Sequence, residues 1–495
     1  MQCYDKAGVG KAFVAASVFA FLLAGCASKP SAPCAEPSDY PRPDVLCRSS
    51  LDISATTGTT VAAAKPDLDA ATTGALPAAP ARPVRAPGGK TGVAEVMRRL
   101  IGSNPDVGIA AAREKEQYAA VNGAEAGFLP AVDLTGGIGP QRSFEPTPIG
   151  NAMRREAGLS VRQTLYDFGA AKSNYERTAL AYQSATSARI AKTEQTVFDM
   201  LDLLMKVQQI DDNIALTKRN IAAHENILNI VQSGERNGNS TVADVKRVTT
   251  RLENAKTSLI DLVTDRTNAA DAFRRLTDQD VDGVSDTTTR RLVGNPADLD
   301  EGRLDLNPDI QSIQSEIASL REQLKSVAAG VLPNVGIESN WKGGRQMTQP
   351  DSTVDNRMYG NVLLSLRVPL YDGGLNASAR DQIRARIEGA ELRLDKRRRE
   401  LLEEAQGARR VTSSDRDKTG TLAARVAAAR KVQELYLEQF RDGTRTVFEL
   451  LDARVDLVKA EGEAIAQAYT RRRAQIRSLL LRGTLVQAVQ GTDRG

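Results

Sequence analysis

The sequence carries the same strand-to-helix junction twice. The segment LYDFG at 165–169 closes an alternating apolar run and opens a long helical pattern, and LYDGG at 370–374 does the same 205 residues later. A strand that turns sharply into a helix favours glycine for its backbone freedom and a short polar residue that caps the first turn. We therefore expect the aspartates to act as caps and the glycines to allow the bend. The residues expected to form these junctions are Tyr166, Asp167, Gly169, Tyr371, Asp372, Gly373 and Gly374.

The sequence around the junctions is duplicated as well. An Asn-Pro-Asp helix start at Asn104 is matched at Asn307, and a Leu-Pro helix stop at Leu129 is matched at Leu332. Alanine, leucine, arginine and glutamate dominate the long stretches between these points, a composition that favours helix. We therefore predict a mainly α fold with β strands, built from similar halves at 92–303 and 304–487.

Each half contains two runs in which apolar and polar residues alternate with a period of two. The predicted strands are 131–139 and 157–165 in the first half, and 334–341 and 359–370 in the second. Four strands cannot close a barrel, and an open sheet edge cannot face lipid. Three copies would supply twelve strands, an even number within the range of membrane barrels. The alternative is a pair of soluble hairpins on a helical rod, but aromatic residues gather at the strand ends, as in interfacial girdles.

A helical pattern of unusual length follows each junction, at 171–233 and 376–440. Each would span about 95 Å, and a helix of that length needs packing partners. A returning helix of about 36 residues and a shorter one of about 24 residues together match this length. The expected end-to-end pairs are 241–276 with 307–330, and 446–483 with 104–127. This arrangement gives four helical columns in one protomer and twelve in three copies.

The N-terminal residues resemble a bacterial lipoprotein signal. Lys6 and Lys11 precede an apolar run at 12–24 that is too short for a permanent membrane helix, and the run leads into Leu-Ala-Gly-Cys, ending at Cys26. The resemblance implies a signal peptide at 1–25 and lipid on Cys26. Because Ala27 rather than aspartate follows, it also implies sorting to the outer membrane. An ordinary signal peptide with a chance cysteine is the alternative.

The segment 26–91 is expected to be a disordered tether. Residues 27–90 hold ten of the 20 prolines, and such a segment cannot bury enough apolar surface to become ordered. Cys34 and Cys47 lie within it and could form a disulfide in an oxidising periplasm. A flexible tail is expected at 488–495.

The composition excludes several classes of function. The 66 basic and 62 acidic residues leave a net charge of only +4, which does not fit nucleic-acid binding. The single histidine, His224, lies in a helical stretch without a second ligand, and the sequence has no phosphate-binding loop. We therefore expect no enzyme, no metal site and no cofactor apart from the lipid on Cys26.

Together these features resemble the TolC family of bacterial outer-membrane channels over about 92–487. The resemblance rests on the duplicated halves, the two junction motifs, and Gly-Thr-Arg-Thr at 443–446 followed by Leu-Leu-Asp-Ala at 450–453. It implies a homotrimer in which a twelve-stranded β-barrel in the outer membrane continues into a twelve-helix periplasmic α-barrel. It also implies two partners, a periplasmic adaptor (membrane fusion protein) and an inner-membrane ABC or RND transporter.

The resemblance also implies a periplasmic gate at the turns that follow the long helices. Arg445 matches the tip arginine of the family, and Asp244 matches its acidic partner. Glu449 and Asp452 match acidic rings inside the entrance. Phe440 stands where the family has a tyrosine, so one hydrogen bond of the closed latch is expected to be missing.

The sequence is therefore interpreted as an exit duct that passively conducts cargo from a tripartite efflux or type I secretion system to the exterior. Two alternatives without a pore are a periplasmic coiled-coil scaffold and a periplasmic adaptor. The order of helices and strands does not supply the lipoyl-like β domain that an adaptor needs. The cargo stays open between small toxic molecules and unfolded polypeptides.

Overall fold

Two strand hairpins and two very long helices dominate the computed structural model of the chain. The structure describes residues 91–141, 152–285, 292, 304–348 and 353–492, all within one compact unit, Arg85–Gly495. The predicted signal peptide at 1–25, the lipidation site Cys26, and Cys34 and Cys47 lie outside the described residues, as does most of the predicted tether.

The first half begins at the end of the predicted tether. Its elements are β1 (Thr91–Gly92), α1 (Val93–Ser103), α2 (Pro105–Glu125), β2 (Ala131–Gln141), β3 (Ala152–Tyr166), α3 (Ala170–Arg236), α4 (Val242–Thr277) and β4 (Val284–Ser285). Strand β1 pairs in parallel with β4, and Thr91 is opposite Val284. Thr91 is therefore part of the folded unit, because its backbone pairs with a segment that is distant in the sequence.

The second half repeats this order without the first short elements. Its elements are α5 (Pro308–Ala329), β5 (Asn334–Thr348), β6 (Thr353–Arg367), α6 (Leu375–Arg441) and α7 (Val447–Leu481). Helices α3 and α6 contain 67 residues each, so each is about 100 Å long. No helix in the described part of the chain is both long and apolar enough to cross a membrane.

The strands differ in length from the predicted ones. Pairing of β2 with β3 continues to Gln141 opposite Ala152, and pairing of β5 with β6 continues to Thr348 opposite Thr353. Apolar and polar residues no longer alternate in these added strand segments. The hydrogen bonds between strands join backbone groups and therefore do not require the alternation. Strand β6 ends before the predicted limit at 370, where Pro369 has no N–H to donate to a ladder.

A short C-terminal helix, α8 (Leu485–Thr492), replaces the first part of the flexible tail predicted at 488–495. Leu485 and Val489 are fully buried. The buried carboxylate of Glu194 on α3 accepts hydrogen bonds from the backbone amides of Leu485 and Val486 (2.9 and 3.2 Å). Because this cap comes from a residue 291 positions earlier, the local sequence could not reveal it.

The helices stack end to end in a different order from the predicted one. The Asn307 side chain, at the start of α5, donates a hydrogen bond to the Leu481 carbonyl oxygen at the end of α7 (2.9 Å). Helix α7 is therefore continued by α5. The predicted pairing of 241–276 with 307–330, and of 446–483 with 104–127, is wrong, because the helix lengths fit either arrangement and only lateral contacts distinguish them.

Helix α3 lies between two of these columns. Its contacts with α2 and α4 include the ion pairs Lys192–Asp106 (2.7 Å) and Asp211–Arg266 (2.6 Å). Its contacts with α5 and α7 include the hydrogen bonds Ser184–Ser312 (3.2 Å) and Asp212–Tyr469 (2.9 Å). Helix α6 contacts the other side of the α7–α5 column through Arg397–Asp309 (2.7 Å) and Glu404–Arg477 (2.6 Å). The columns therefore follow the order α4–α2, α3, α7–α5, α6.

The sheet repeats the order of the columns. Its strand order is β2-β3-β5-β6, with every neighbouring pair antiparallel. These strands adjoin α2, α3, α5 and α6 in the chain, so each strand continues one column. Within the described chain, β2 and β6 remain as unpaired edges.

One face of the sheet is apolar. Residues directly opposite each other on neighbouring strands lie on the same face. The register thereby collects Val132, Leu134, Ile138, Leu159, Val161, Val335, Ile337, Trp341, Val362, Leu364 and Leu366 on one face. Most of them are solvent-exposed in the protomer; Leu134 is 80% and Leu364 73% exposed. The alternation in four separate runs therefore produces one continuous apolar surface.

We expect Glu194→Gln to change the pH dependence of stability. Burial raises the pKa of Glu194 to about 7, although hydrogen bonds from Val486 and Leu485 lower it. A carboxyl whose pKa is higher in the folded state than in the unfolded chain stabilises the fold most at pH values below its unfolded-state pKa. This contribution is lost as the pH rises toward the folded-state pKa of about 7. Between about pH 4.5 and pH 8, the wild type should lose on the order of 2 kcal/mol of unfolding free energy relative to the variant. Denaturation followed by circular dichroism tests this, and parallel pH curves for the two proteins would contradict it.

Candidate functional site

The turns that end the two long helices have similar backbones. Gly238 follows α3 with a φ of +80°, and Gly443 follows α6 with a φ of +73°. The left-handed conformation reverses the chain, and glycine adopts it without steric cost. The turn after α3 is closed by a hydrogen bond from Asn239 N to the Gly234 carbonyl oxygen (2.7 Å), and the turn after α6 by Thr444 N to the Gln439 carbonyl oxygen (2.9 Å).

A capping box begins each returning helix. The Thr241 amide donates to the Asp244 carboxylate (3.1 Å), and the Asp244 amide donates to the Thr241 hydroxyl oxygen (3.2 Å). Thr446 and Glu449 repeat this arrangement at the start of α7 (3.1 and 3.4 Å). Two of the three acidic residues assigned to the gate, Asp244 and Glu449, therefore also satisfy backbone groups of their own helix. The Thr-x-x-Asp/Glu spacing is the sequence signal for this role.

Arg445 is held by residues of its own hairpin. Its Nη1 donates to Glu449 Oε1 (2.6 Å) and its Nε donates to Gln439 Oε1 (2.9 Å). The guanidinium carbon lies 4.5 Å from the centre of the Tyr436 ring, a cation–π distance. No hydrogen bond or ion pair joins Arg445 to the predicted partner Asp244 within the described protomer. Gln439 and Tyr436 were not identified from the sequence, because the turn that brings them to Arg445 had to be known first.

The contacts of Glu449 favour its ionised carboxylate. Hydrogen bonds from the Thr446 backbone amide, and then from Arg445, lower the pKa of Glu449 below its usual value. Both side chains remain more than one third exposed. Solvent screening therefore limits what the pair contributes to stability.

The two other predicted gate residues lie in different surroundings. Phe440 is partly buried and packs against an apolar cluster that contains Val231, Val248 and Leu450. Its side chain therefore joins the α6–α7 helix pair to the α3–α4 helix pair by apolar contact. Asp452 lies 3.9 Å from Arg251 on α4 and is half exposed, so it forms a weak link between α7 and α4.

A buried cationic group lies further along the same helices. Arg454 on α7 is 8% exposed, and its Nε donates to Asn220 Oδ1 on α3 (2.9 Å). Burial, and then the charges of Arg454 and Arg251, lower the pKa of the buried His224 to about 4, so His224 is neutral at pH 7. The described residues contain no group of three or more His, Cys, Asp and Glu side chains that could hold a metal ion.

At the strand-to-helix junctions, the aspartates cap the long helices. Asp167 accepts from the amides of Gly169 and Ala171 (3.1 and 2.6 Å), and Asp372 accepts from those of Gly374 and Asn376 (3.0 and 2.9 Å). Two successive residues at each junction have a positive φ, and they are Phe168, Gly169, Gly373 and Gly374. The Tyr166 and Phe168 rings meet edge to face at 4.8 Å, and Tyr371 is 91% exposed.

Comparison with known proteins finds one family over most of the described residues. The family model described as outer membrane efflux protein matches residues 96–278 and 303–481. The chain is 20% identical to the outer membrane protein TolC of Vibrio cholerae over 371 residues, which cover 73% of this chain and 83% of that protein. It is 23% identical to the alkaline protease secretion protein AprF of Pseudomonas aeruginosa over 341 residues, which cover 67% and 70% of the two chains.

Solved structures have the same fold. The outer membrane protein VceC of Vibrio cholerae superposes with a TM-score of 0.69 at 15% identity, covering 80% of this chain and 95% of that chain. CusC, whose structures concern transmembrane channel formation, superposes with a TM-score of 0.68 at 15% identity, covering 86% and 98%. The predicted fold of duplicated halves with long helices and strand hairpins is confirmed.

We expect Gly374→Ala to destabilise the second junction. Gly374 has a φ of +86°, and a side chain in this left-handed region costs roughly 1 kcal/mol. Gly389→Ala is the matched control, because Gly389 lies inside α6, the helix that follows Gly374, has open space where a Cβ would stand, and should gain about 1 kcal/mol. Thermal unfolding of the two variants should therefore shift in opposite directions; equal shifts would contradict the assigned backbone conformation.

Proposed function

Because the chain belongs to the outer membrane efflux protein family, we propose that it is the exit duct of a tripartite export system. Three copies form a twelve-stranded barrel in the outer membrane and a tunnel of twelve helical columns in the periplasm. The observation that carries this proposal is the sheet, which has one apolar face, two unpaired edges and a helical column in line with each strand.

The free edges of the sheet support closure by further copies. An unpaired edge cannot face lipid, because its backbone N–H and C=O groups would lack partners. Pairing β6 of one copy with β2 of the next satisfies these groups and keeps the apolar face continuous. The outermost columns also expose apolar side chains, including Ile260 (66%) on α4 and Leu392 (62%) on α6. These side chains suit contact between neighbouring copies.

The remaining assignments follow from the sequence. The Leu-Ala-Gly-Cys segment supports a lipid anchor on Cys26, and Cys34 and Cys47 stay a predicted disulfide. A periplasmic adaptor and an inner-membrane ABC or RND transporter are the proposed partners, and the chain itself performs no reaction. The cargo is proposed to be either small molecules or polypeptides. Crosslinking of the turns at 237–241 and 442–446 in cells, followed by identification of the captured transporter, would distinguish the two.

Closure by three copies predicts a specific crosslinking pattern. Single cysteines along β2 combined with single cysteines along β6, in protein whose Cys34 and Cys47 are replaced by serine, should give an oxidised trimer at one register. The same β2 cysteines combined with positions on β5 are the control, because β5 is already paired on both sides. Monomers in every β2–β6 combination would contradict the barrel, as would intermolecular products in the control.

The proposed gate predicts a change in conductance. Arg445→Ala and Asp244→Asn should each raise the closed-state conductance of the trimer in planar bilayers, because each removes a charge that is repeated by symmetry at the tip. Asn keeps an oxygen that can accept from the Thr241 amide, so this variant separates the charge of Asp244 from its capping role. Thr241→Val is the control, since it breaks the capping box but leaves the charge. Unchanged conductance in Arg445→Ala, or an equal rise in Thr241→Val, would contradict the latch.

A further inference from the structure

A polar layer crosses the apolar interior of the helices about 18 Å from the end of α3. His224 on α3 is 3% exposed, and the buried Arg454 on α7 donates from its Nε to Asn220 Oδ1, one helical turn from His224 (2.9 Å). The charge of Arg251 on α4 also acts on His224. We call His224, Asn220, Arg251 and Arg454 the cationic layer. Apolar side chains of α3 are buried on both sides of it, namely Ile214, Leu216, Ile227 and Val231.

The cationic layer contains more positive than negative charge. Among the described residues, none forms an ion pair with Arg454, which is 8% exposed, and the buried His224 Nδ1 has no hydrogen-bond partner in the described protein. Arg251 has a weak partner in Asp452 on α7, at 3.9 Å. The other charges that act on Arg454 are those of Arg219 on α3 and Glu461 on α7. A proton on His224 would therefore meet two arginines and no bound carboxylate.

This surrounding makes protonation of the buried His224 costly. Burial disfavours a charged imidazole, and neighbouring positive charges disfavour it further. Once the ring reaches water, it regains its ordinary affinity for a proton. The pKa of His224 is about 4 in the fold and 6.5 ordinarily, so the contribution of the buried neutral ring is complete above about pH 6.5 and is lost as the pH falls toward 4. Acid therefore favours arrangements in which His224 is exposed.

The seam between α7 and the α3–α4 pair can expose His224. Each helix pair is closed by its own turn, at 237–241 and 442–446, whereas side chains alone join α7 to the α3–α4 pair at this end. Apart from the cationic layer, these side chains are the apolar cluster around Phe440, and Arg247 over the Phe448 ring (5.2 Å). The seam can therefore open while both turns stay intact.

We propose that the cationic layer makes the contact between α7 and the α3–α4 pair acid-sensitive, so that a fall in pH loosens this end of the helical tunnel. The effect on a tunnel rests on the proposed function, and three copies would carry three such layers. The Arg445–Glu449 pair at the turn does not supply this response. Its contacts lower the pKa of Glu449 below 4.5, so this carboxylate stays ionised between about pH 7.5 and pH 5.

Hydrogen–deuterium exchange of the full-length protein in detergent tests the layer. Peptides from 448–460 of α7 report on the seam, because a helix that loses its packing partners exchanges faster. From about pH 7.5 to pH 5, their protection, corrected for intrinsic exchange, should fall by up to roughly twentyfold in the wild type. Peptides from 473–481 of the same helix are the internal reference, since Arg473 binds Asp202 on α3 there (2.7 Å), and should keep their protection.

Variants separate His224 from other titrating groups. His224→Gln and His224→Leu remove the titrating ring, one with a polar and one with an apolar side chain, and both should have the same protection at the two pH values. Arg454→Gln removes one of the charges that lower the pKa of His224, so its loss of protection should be smaller than that of the wild type. Arg425→Gln is the matched control, because it breaks the Arg425–Glu463 ion pair between α6 and α7 and should keep the wild-type response.

Three results would overturn the acid-sensitive layer. The first is an equal loss of protection at 448–460 in the wild type and in both His224 variants. The second is unchanged protection of this segment in the wild type at the two pH values. The third is an equal loss at 473–481, because acid would then unfold α7 as a whole rather than loosen the seam.

Conductance in planar bilayers separates this proposal from the proposed function. Acid on the side of the turns should raise the closed-state conductance of the wild type and leave that of His224→Gln unchanged. The same pH response in both proteins would overturn the link between the layer and the gate. Absence of pores in the wild type at every pH would refute the exit duct, while the exchange measurement would still decide on the layer.

Discussion

A helix of 67 residues with buried side chains along its length depends on lateral packing for most of its stability, and this constraint governs the whole protomer. Helix α3 meets it by contacting two stacked columns along its length, one made of α4 and α2 and the other of α7 and α5. Many of these contacts are polar, such as Lys192–Asp106 and Asp212–Tyr469. Each is weak alone, so the order depends on their number and on the apolar cluster around Met97, Leu201 and Phe273. The strand order of the sheet is the same as the order of these columns.

The two halves share a backbone plan and differ in chemistry. At the first junction, Phe168 adopts a φ of 55° that glycine occupies in the second half, at a cost of roughly 1 kcal/mol for a non-glycine residue. The edge-to-face contact of Phe168 with Tyr166 offsets part of this cost. Of the two turns that end the long helices, only the one in the second half contains an arginine, Arg445, that is held by a carboxylate, an amide and an aromatic ring. The two turns therefore share a backbone geometry, but only the second-half turn holds an arginine in this way.

Much of the fold could be predicted because its signals are local. Asn104 and Asn307 mark helix starts, Gly374 marks a junction, and period-two alternation marks each strand. The acidic residues Asp244 and Glu449, in the turns after the long helices, were assigned through the family resemblance. Their capping role could have been found too, from the spacing of Thr241 to Asp244 and of Thr446 to Glu449. The contact of Arg445 with Tyr436 could not, because it crosses a turn.

The sequence by itself determined the repeat, the junctions, the long helices and the alternating strands, since each can be recognised from the order of residues along the chain alone. Only the tertiary structure decided that α5 continues α7, that Glu194 caps α8, and that the alternating runs share one face. These features join residues far apart in the chain. Equal helix lengths and equal periodicities fit several arrangements, and only side-chain contacts and strand register choose among them.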